Sequence, residues 1–325
     1  MSVMRETMNE QPAALHRILA DTGPIAPAAD RLHGRRVYLV GTGTSWHAAN
    51  QGAWLLRLAG VDAWPVSAAD VVAGGPFPMN DDALILLTHR GTKRFTSEVL
   101  VRARAQGTST VVISRIGNPE ADLDTVQDEG SSAFTSSHLG ALLRLAQLAS
   151  ELGAPLGQLS DVPEAVAREL AAEPTGVVPP VRLLEFAGMG INAWTAAEGA
   201  LKTRETSYIA CEGGNGEQIL HGPSVALGTA DTLVCLDGES FEGSSSDGGT
   251  VGSSRLDDLS AAVSGQGATV HRFTRSGLGT SLSIFPLTVI VQKIAAEAAE
   301  RLGTNPDSFG KDLPGHTEAW DGILL

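Results

Sequence analysis

The chain has 325 residues, 42% of them hydrophobic, and a net charge of −14 with a pI near 4.9. That is enough apolar material for a sizeable core and, on length, for two domains; the acidic balance excludes nucleic acid and anionic lipid as general partners. No stretch reaches the roughly 20 apolar residues a membrane span needs, no secretory signal opens the chain, and the two cysteines, Cys211 and Cys235, exclude a disulfide framework and fit a reducing, cytoplasmic setting.

Residues 1–33 read as an N-terminal helical segment, with a helix from Pro12 to Ala20 after a polar start. Val37–Gly41 is a short apolar run ending in Gly and predicts a buried strand, followed by a turn and a helix to Leu58. Further strands are expected over 62–66, 82–88 and 109–114, with helices over 94–105 and 134–152. Strands alternating with helices predict parallel βαβ units, an α/β fold with helices on both faces of a sheet. Residues 34–153 form this first subdomain.

Residues 154–180 contain one helix, 162–171, and a Pro-rich connector. The pattern then recurs over 181–302. Strand 181–188 ends in Gly188 and Gly190 as the first ends in Gly41 and Gly43; Thr232–Leu236 echoes Ala83–Leu87, and 268–273 echoes 109–114. Two copies of one unit are expected, with extra residues in the second between Gly238 and Ser254. That Ser- and Gly-rich stretch reads as a solvated insertion, a lid being the alternative. A helix over 286–302 and an irregular tail, 303–325, close the chain.

The central stretch runs from Glu198 to His221. A helix through Ala193–Lys202 places Glu198, Lys202 and Glu205 on one face. Gly-rich Cys211–Gln218 cannot continue that helix and reads as a loop delivering His221 ahead of Gly222 and Pro223. A carboxylate, an ammonium and an imidazole in one segment suit proton transfer near neutral pH; a salt-bridged surface helix followed by a linker is the plainer alternative.

Two loops at strand ends suit an anion. Gly43, Thr44 and Ser45 open a helix whose free N–H groups and hydroxyls can bind one, unless the hydroxyls serve only as caps. Trp46 stands where a dinucleotide fingerprint needs its third Gly, which argues against NAD. No metal and no cofactor are expected. The second loop, Thr88 to Arg94, carries His89, Arg90, Gly91, Lys93 and Arg94 in an otherwise acidic chain, in the position where open α/β sheets bind ligands.

These residues resemble the sugar isomerase (SIS) family, and within it the isomerase half of glutamine–fructose-6-phosphate aminotransferases. The matching pieces are Met4–Leu15, Gly43–Ser45, Ala133–Thr135, Glu198–Lys202 with Glu205 and Tyr208, and His221–Pro223. The resemblance implies two SIS subdomains, each a parallel sheet in an α-β-α sandwich, and a homodimer. It implies a sugar phosphate or other acidic sugar as substrate. Glu205 matches the family's base between carbons 1 and 2, Lys202 its assisting lysine, and Lys311 its tail lysine. His221 matches the ring-opening histidine, which reaches into the neighbouring subunit's site. Gly43, Thr44, Ser45, Thr88, His89, Arg90, Gly91, Lys93, Ser131, Ser132 and Glu198 are the implied substrate contacts.

Three departures stand out. The family's phosphate loop, Ser-x-Ser-Gly-x-Thr, reads Thr88-His-Arg-Gly-Thr-Lys93 here, so cations replace hydroxyls. The family's Ser-Thr-Lys reads Gly130-Ser-Ser132, and Asp307 replaces an Arg. No glutaminase segment precedes residue 37, so glutamine hydrolysis is not expected of this chain. Its expected function is aldose–ketose isomerisation, with or without amination or deamination at carbon 2; the alternative is a non-catalytic sugar-phosphate sensor.

Overall fold

The computed structural model describes residues 1–75, 77–238 and 248–323. Three short helices, α1 (Val3–Asn9), α2 (Gln11–Ala20) and α3 (Ile25–Asp30), precede β1 (Val37–Gly41). Then follow α4 (Thr44–Leu58), β2 (Ala63–Ser67), α5 (Ala68–Val72), β3 (Ala83–Leu87), α6 (Arg94–Ala105), β4 (Ser109–Ser114), a two-residue β5 (Leu123–Asp124) and α7 (Ser136–Glu151). The strands form one parallel sheet in the order β2-β1-β3-β4-β5. Every residue of β1 and β3 is buried, as expected for strands covered on both faces.

The second half repeats this arrangement. After α8 (Val162–Ala171) come β6 (Leu183–Gly188), α9 (Asn192–Ser207), β7 (Cys211–Asn215), α10 (Gly216–Leu220), β8 (Asp231–Gly238), α11 (Gly248–Gly265), β9 (Thr269–Arg275), α12 (Ile284–Leu302) and α13 (His316–Trp320). Its parallel sheet runs β7-β6-β8-β9. By internal contacts the chain divides into two units. One holds Glu10–Gly130, Phe134–Pro163 and Glu318–Leu325; the other holds Met1–Asn9, Ser131–Ala133 and Glu164–Thr317. Helix α1 therefore goes with the second half, away from the N-terminal segment in which the sequence places it. Among the described residues no helix is long and apolar enough to cross a membrane.

The strand-to-helix turn is the same in both halves. A Cβ at Gly41 would collide with the backbone of Ser45, and one at Gly188 with the backbone of Asn192. Gly43 and Gly190 both take positive φ, 59° and 55°, where a side chain is strained. In the second copy this turn is closed from within. Asn192 Nδ2 donates to Ser283 Oγ at 2.9 Å, and Ser283 also crowds Gly238 at the end of β8.

One sequence expectation fails here and another is narrowed. Cys211–Gln218 is not a loop: Cys211–Asn215 is the edge strand β7, and α10 begins at Gly216. Pairing to β6 overrides the poor strand propensity of a Gly-rich run, and glycine is required, because a Cβ on Gly213 would strike the carbonyl of Ala196 on α9. The expected 238–254 insertion also changes: Gly238 ends β8 and helix α11 starts at Gly248, while 239–247 lie outside the described residues.

Helix α12 is buried along most of its length and carries one buried ammonium. Lys293 Nζ donates to the carbonyls of Glu169, Ala172 and Glu173 at 2.9, 2.7 and 3.0 Å. It thus satisfies one carbonyl in the last turn of α8 and two just beyond its end. One turn on, Glu297 accepts from the backbone N–H of Thr175 at 3.0 Å. A buried ammonium is stable only with such partners, so Lys293→Met is expected to lower stability by about 3 kcal/mol in chemical denaturation.

Burial also acts on Glu185, in register with Glu212 on β7. Desolvation, then the nearby Glu212 charge, push its carboxyl from 4.5 up to about 7. In the unfolded chain it ionises near the ordinary value, so the unfolded state loses its proton first. Stability therefore falls as pH rises from about 4.5 to about 7 and stays lower above. Glu185→Gln is expected to stabilise the protein by up to about 3 kcal/mol at pH 8 and by almost nothing at pH 4, read as a pH series of melting temperatures.

Candidate functional site

Helix α9 carries the charged face that its spacing predicts. Lys202 Nζ lies 3.7 Å from Glu198 Oε1 and is ion-paired with Glu205. Exposure separates their roles: the side chains of Glu198 and Lys202 are 0% and 1% exposed, and that of Glu205 is 16% exposed. Glu198, expected as a substrate contact, is a buried counter-ion. Of the three, Glu205 is the one that reaches the surface. The close approach of α9 to α12 requires Gly199, where a Cβ would stand 3.0 Å from Val291.

The helix stops at Tyr208, which takes left-handed φ of 60°. Its hydroxyl accepts from Gly310 N at 3.0 Å and donates to the carbonyl of Asn305 at 3.1 Å. Thr304 Oγ1 donates to the carbonyl of Thr206 at 2.7 Å. The tail is therefore folded onto the C-terminal end of α9, and Lys311, itself exposed, follows the bonded glycine. Asp307 serves the N-terminal helix instead of a ligand, since its two oxygens accept from Val3 N and Met4 N, each at 2.8 Å. It caps α1, where a carboxylate complements the helix dipole, which explains an acidic residue in place of Arg. Ser132 N bonds the Asp307 carbonyl at 3.3 Å, and the buried Ser131 hydroxyl accepts from Ala133 N at 3.1 Å. Both serines thus join the tail in the second unit.

His221 stands at the C-terminal end of α10. Its side chain is 70% exposed, and its Nε2 lies 2.9 Å from Glu217 Oε1. Glu217 is clamped in turn by Arg255 of α11, at 2.6 Å from Oε2 to Nε and 3.1 Å from Oε1 to Nη2. The Arg255 bond, opposed by a smaller desolvation cost, holds the Glu217 carboxyl below its usual range.

The first unit has a cavity at the C-terminal ends of its strands, where open α/β sheets bind ligands. Thr44 and Ser45 of α4, Thr88 and His89 after β3, Ser114 of β4 and Ser137 of α7 all line it. The two loops singled out from sequence therefore meet. The second loop is bonded within itself and to β4: Gly91 N donates to Thr88 Oγ1 at 3.1 Å, and Ser114 Oγ of β4 to the His89 carbonyl at 2.9 Å.

Its cations are differently placed. Arg90 donates to Asp128 Oδ1 at 2.8 Å and to the Glu129 carbonyl at 2.9 Å, and lies over the Phe134 ring at 5.4 Å. Lys93 is exposed at the start of α6. His89, its side chain 9% exposed, has Nε2 at 3.1 Å from Asp128; burial lowers its pKa against the pull of Glu129 and Asp128.

The sequence reading missed Asp128 and Glu129. The buried Glu129 carboxylate accepts from Thr135 N, Ser136 N and Ser137 N at 2.9, 3.3 and 2.7 Å. The N-terminus of α7, a natural anion site, is filled by the protein's own carboxylate. A Glu shortly before a helix start was the available signal. Among the described residues no group of His, Cys, Asp and Glu could hold a metal ion.

No family model matches the chain. It is 26% identical over 344 residues to a glutamine–fructose-6-phosphate aminotransferase of Gloeobacter violaceus, covering 90% of this chain and 55% of that protein. It is 28% identical to that of Bacillus subtilis, with 69% and 42% covered; the chain thus spans about half the length of the curated relatives it matches. Among solved structures, a glucosamine-6-phosphate deaminase of Thermotoga maritima superposes with a TM-score of 0.75 at 18% identity over 94% of this chain and 97% of that one. A tagatose-6-phosphate ketose/aldose isomerase of Escherichia coli does so with a TM-score of 0.75 at 17% identity, covering 94% and 95%. Paired parallel sheets of one topology give the chain the fold of these phosphosugar proteins, and its sequence is similar to part of the glutamine–fructose-6-phosphate aminotransferases.

Proposed function

We propose that this protein is an aldose–ketose isomerase of phosphorylated or otherwise acidic sugars, acting at carbons 1 and 2 and competent for amination or deamination at carbon 2. The observation that carries this reading is the face of α9. A buried ammonium stands between a buried carboxylate and a second one that reaches the surface, with the tail folded onto the end of the same helix. The named activities of the related proteins supply the substrate class.

In the proposed cycle His221 opens the sugar ring and Glu205 carries a proton between carbon 1 and carbon 2 through an enediol. The ammoniums of Lys202 and Lys311 offset the negative charge that develops on the sugar oxygen. Within the first unit, Thr44, Ser45, Thr88 and Lys93 offer an acidic group helix N–H groups, hydroxyls and one cation. A sensor without chemistry is the second reading, and one observation favours it: the Arg90 charge that an anionic ligand would use is already bonded to Asp128.

Proton NMR in deuterated water, over a panel of hexose and amino-hexose phosphates with and without ammonium, tests the reading. Exchange of the carbon-2 proton on one compound is expected, with Glu205→Gln slowing it by about 10²- to 10⁴-fold. A thermal shift with no exchange on any compound overturns the enzyme in favour of the sensor. Lys93→Ala is expected to raise KM for the phosphorylated substrate about tenfold with little change in kcat, since it removes one anion contact remote from the reacting carbons.

A further inference from the structure

Most exposed histidines have two solvated ring nitrogens. His221 does not. Its ring is largely exposed, yet Nε2 is engaged by Glu217 at 2.9 Å, and Glu217 is gripped through both oxygens by Arg255. Arg255 bonds onward to Asp258 at 2.5 Å. Helix α10 is also fixed at its start, where the Asn215 side chain accepts from Glu217 N at 2.9 Å and Gln218 N at 3.3 Å. Four side chains, on α10, α11 and the residue that caps α10, therefore set the orientation of one imidazole.

We infer that Glu217, held by Arg255, is the positioning residue of His221: it fixes the proton on Nε2 and leaves Nδ1 as the nitrogen that exchanges a proton with the sugar. This rests on the ring-opening role proposed above. An ionised carboxylate accepts only, and Arg255 keeps Glu217 ionised. Neutral His221 must then carry its hydrogen on Nε2, because only that tautomer donates to Glu217. Protonated His221 adds the second hydrogen at Nδ1. In ring opening the bond from the anomeric carbon to the ring oxygen breaks, and the ring oxygen takes the proton from Nδ1. The anomeric hydroxyl gives its proton to water. A carbonyl sugar is left, with imidazole neutral and still bonded through Nε2–H.

The charged groups around the ring are Glu217 on its own helix and Arg255 and Asp258 on α11. Beyond them, Arg182, just before β6, bonds the carbonyl of Ala226 in the turn that follows His221, and Asp231. Glu217 is the one in contact with the imidazole.

The test uses the full chain and two variants, Glu217→Met and Glu217→Gln, with His221→Gln to assign the resonances. Long-range proton–nitrogen correlation spectra at pH 8 report the tautomer. The wild type is expected to show Nε2–H alone. Glu217→Gln keeps it, because the amide oxygen accepts the same bond, and Glu217→Met gives a mixture. An unchanged Nε2–H tautomer in Glu217→Met overturns the inference, whatever the activity. On fructose 6-phosphate, Glu217→Met is expected to lower kcat about tenfold with KM unchanged, with Glu217→Gln largely restored. On 5-deoxyfructose 6-phosphate, which cannot close its ring, Glu217→Met should match the wild type; an equal loss on both sugars overturns the positioning role. Absence of any turnover by the wild type would defeat the proposed function alone, and the tautomer would still decide this inference.

Discussion

An ammonium cannot be buried alone. Lys202 is almost wholly shielded from solvent, and the cost of that burial is met by the two carboxylates on its own helix face, Glu198 and Glu205. Glu198 lies in the interior and Glu205 is the carboxylate nearest water. The helix thus holds a carboxylate oxygen at a fixed point without using a loop. Fixing that point requires the rest of the unit: Gly199 against α12, Gly213 against Ala196, and the tail seated on Tyr208. Rigid elements hold a reacting group more narrowly than loops do.

The same accounting explains the strand-end cavity. A loop rich in Arg and Lys reads as a strong anion trap in sequence. In the fold, one of its guanidiniums is bonded to Asp128, and a neighbouring helix terminus is occupied by Glu129. What the cavity offers is a row of hydroxyls and the imidazoles of His89 and His138. Such a lining discriminates by hydrogen-bond geometry more than by net charge.

Much of this was legible beforehand. The apolar runs at Val37–Gly41 and Ala83–Leu87 admit little besides buried parallel strands, and the spacing of Glu198, Lys202 and Glu205 fixes a shared helix face at once. What escaped was non-local. Nothing in Cys211–Asn215 announces a strand, because its identity comes from an open sheet edge beside β6. Asp307 looks like a loss of charge until its carboxylate is found on the backbone of Val3 and Met4, 304 and 303 residues away. Glu129 belongs to the same class, since a carboxylate folded back onto a helix start leaves no periodicity to read.

The doubled strand-to-helix turn carries a consequence for how this protein changes over time. In the first half the turn opens on Thr44 and Ser45 at a cavity; in the second its counterpart is sealed by Asn192 and Ser283. The two turns share one backbone geometry, and one of them is closed by a side-chain hydrogen bond. Substitution around Asn192 is limited by what the interior tolerates, and substitution around Thr44 by the shape of the cavity, so the lining of one half can change while the other keeps its packing.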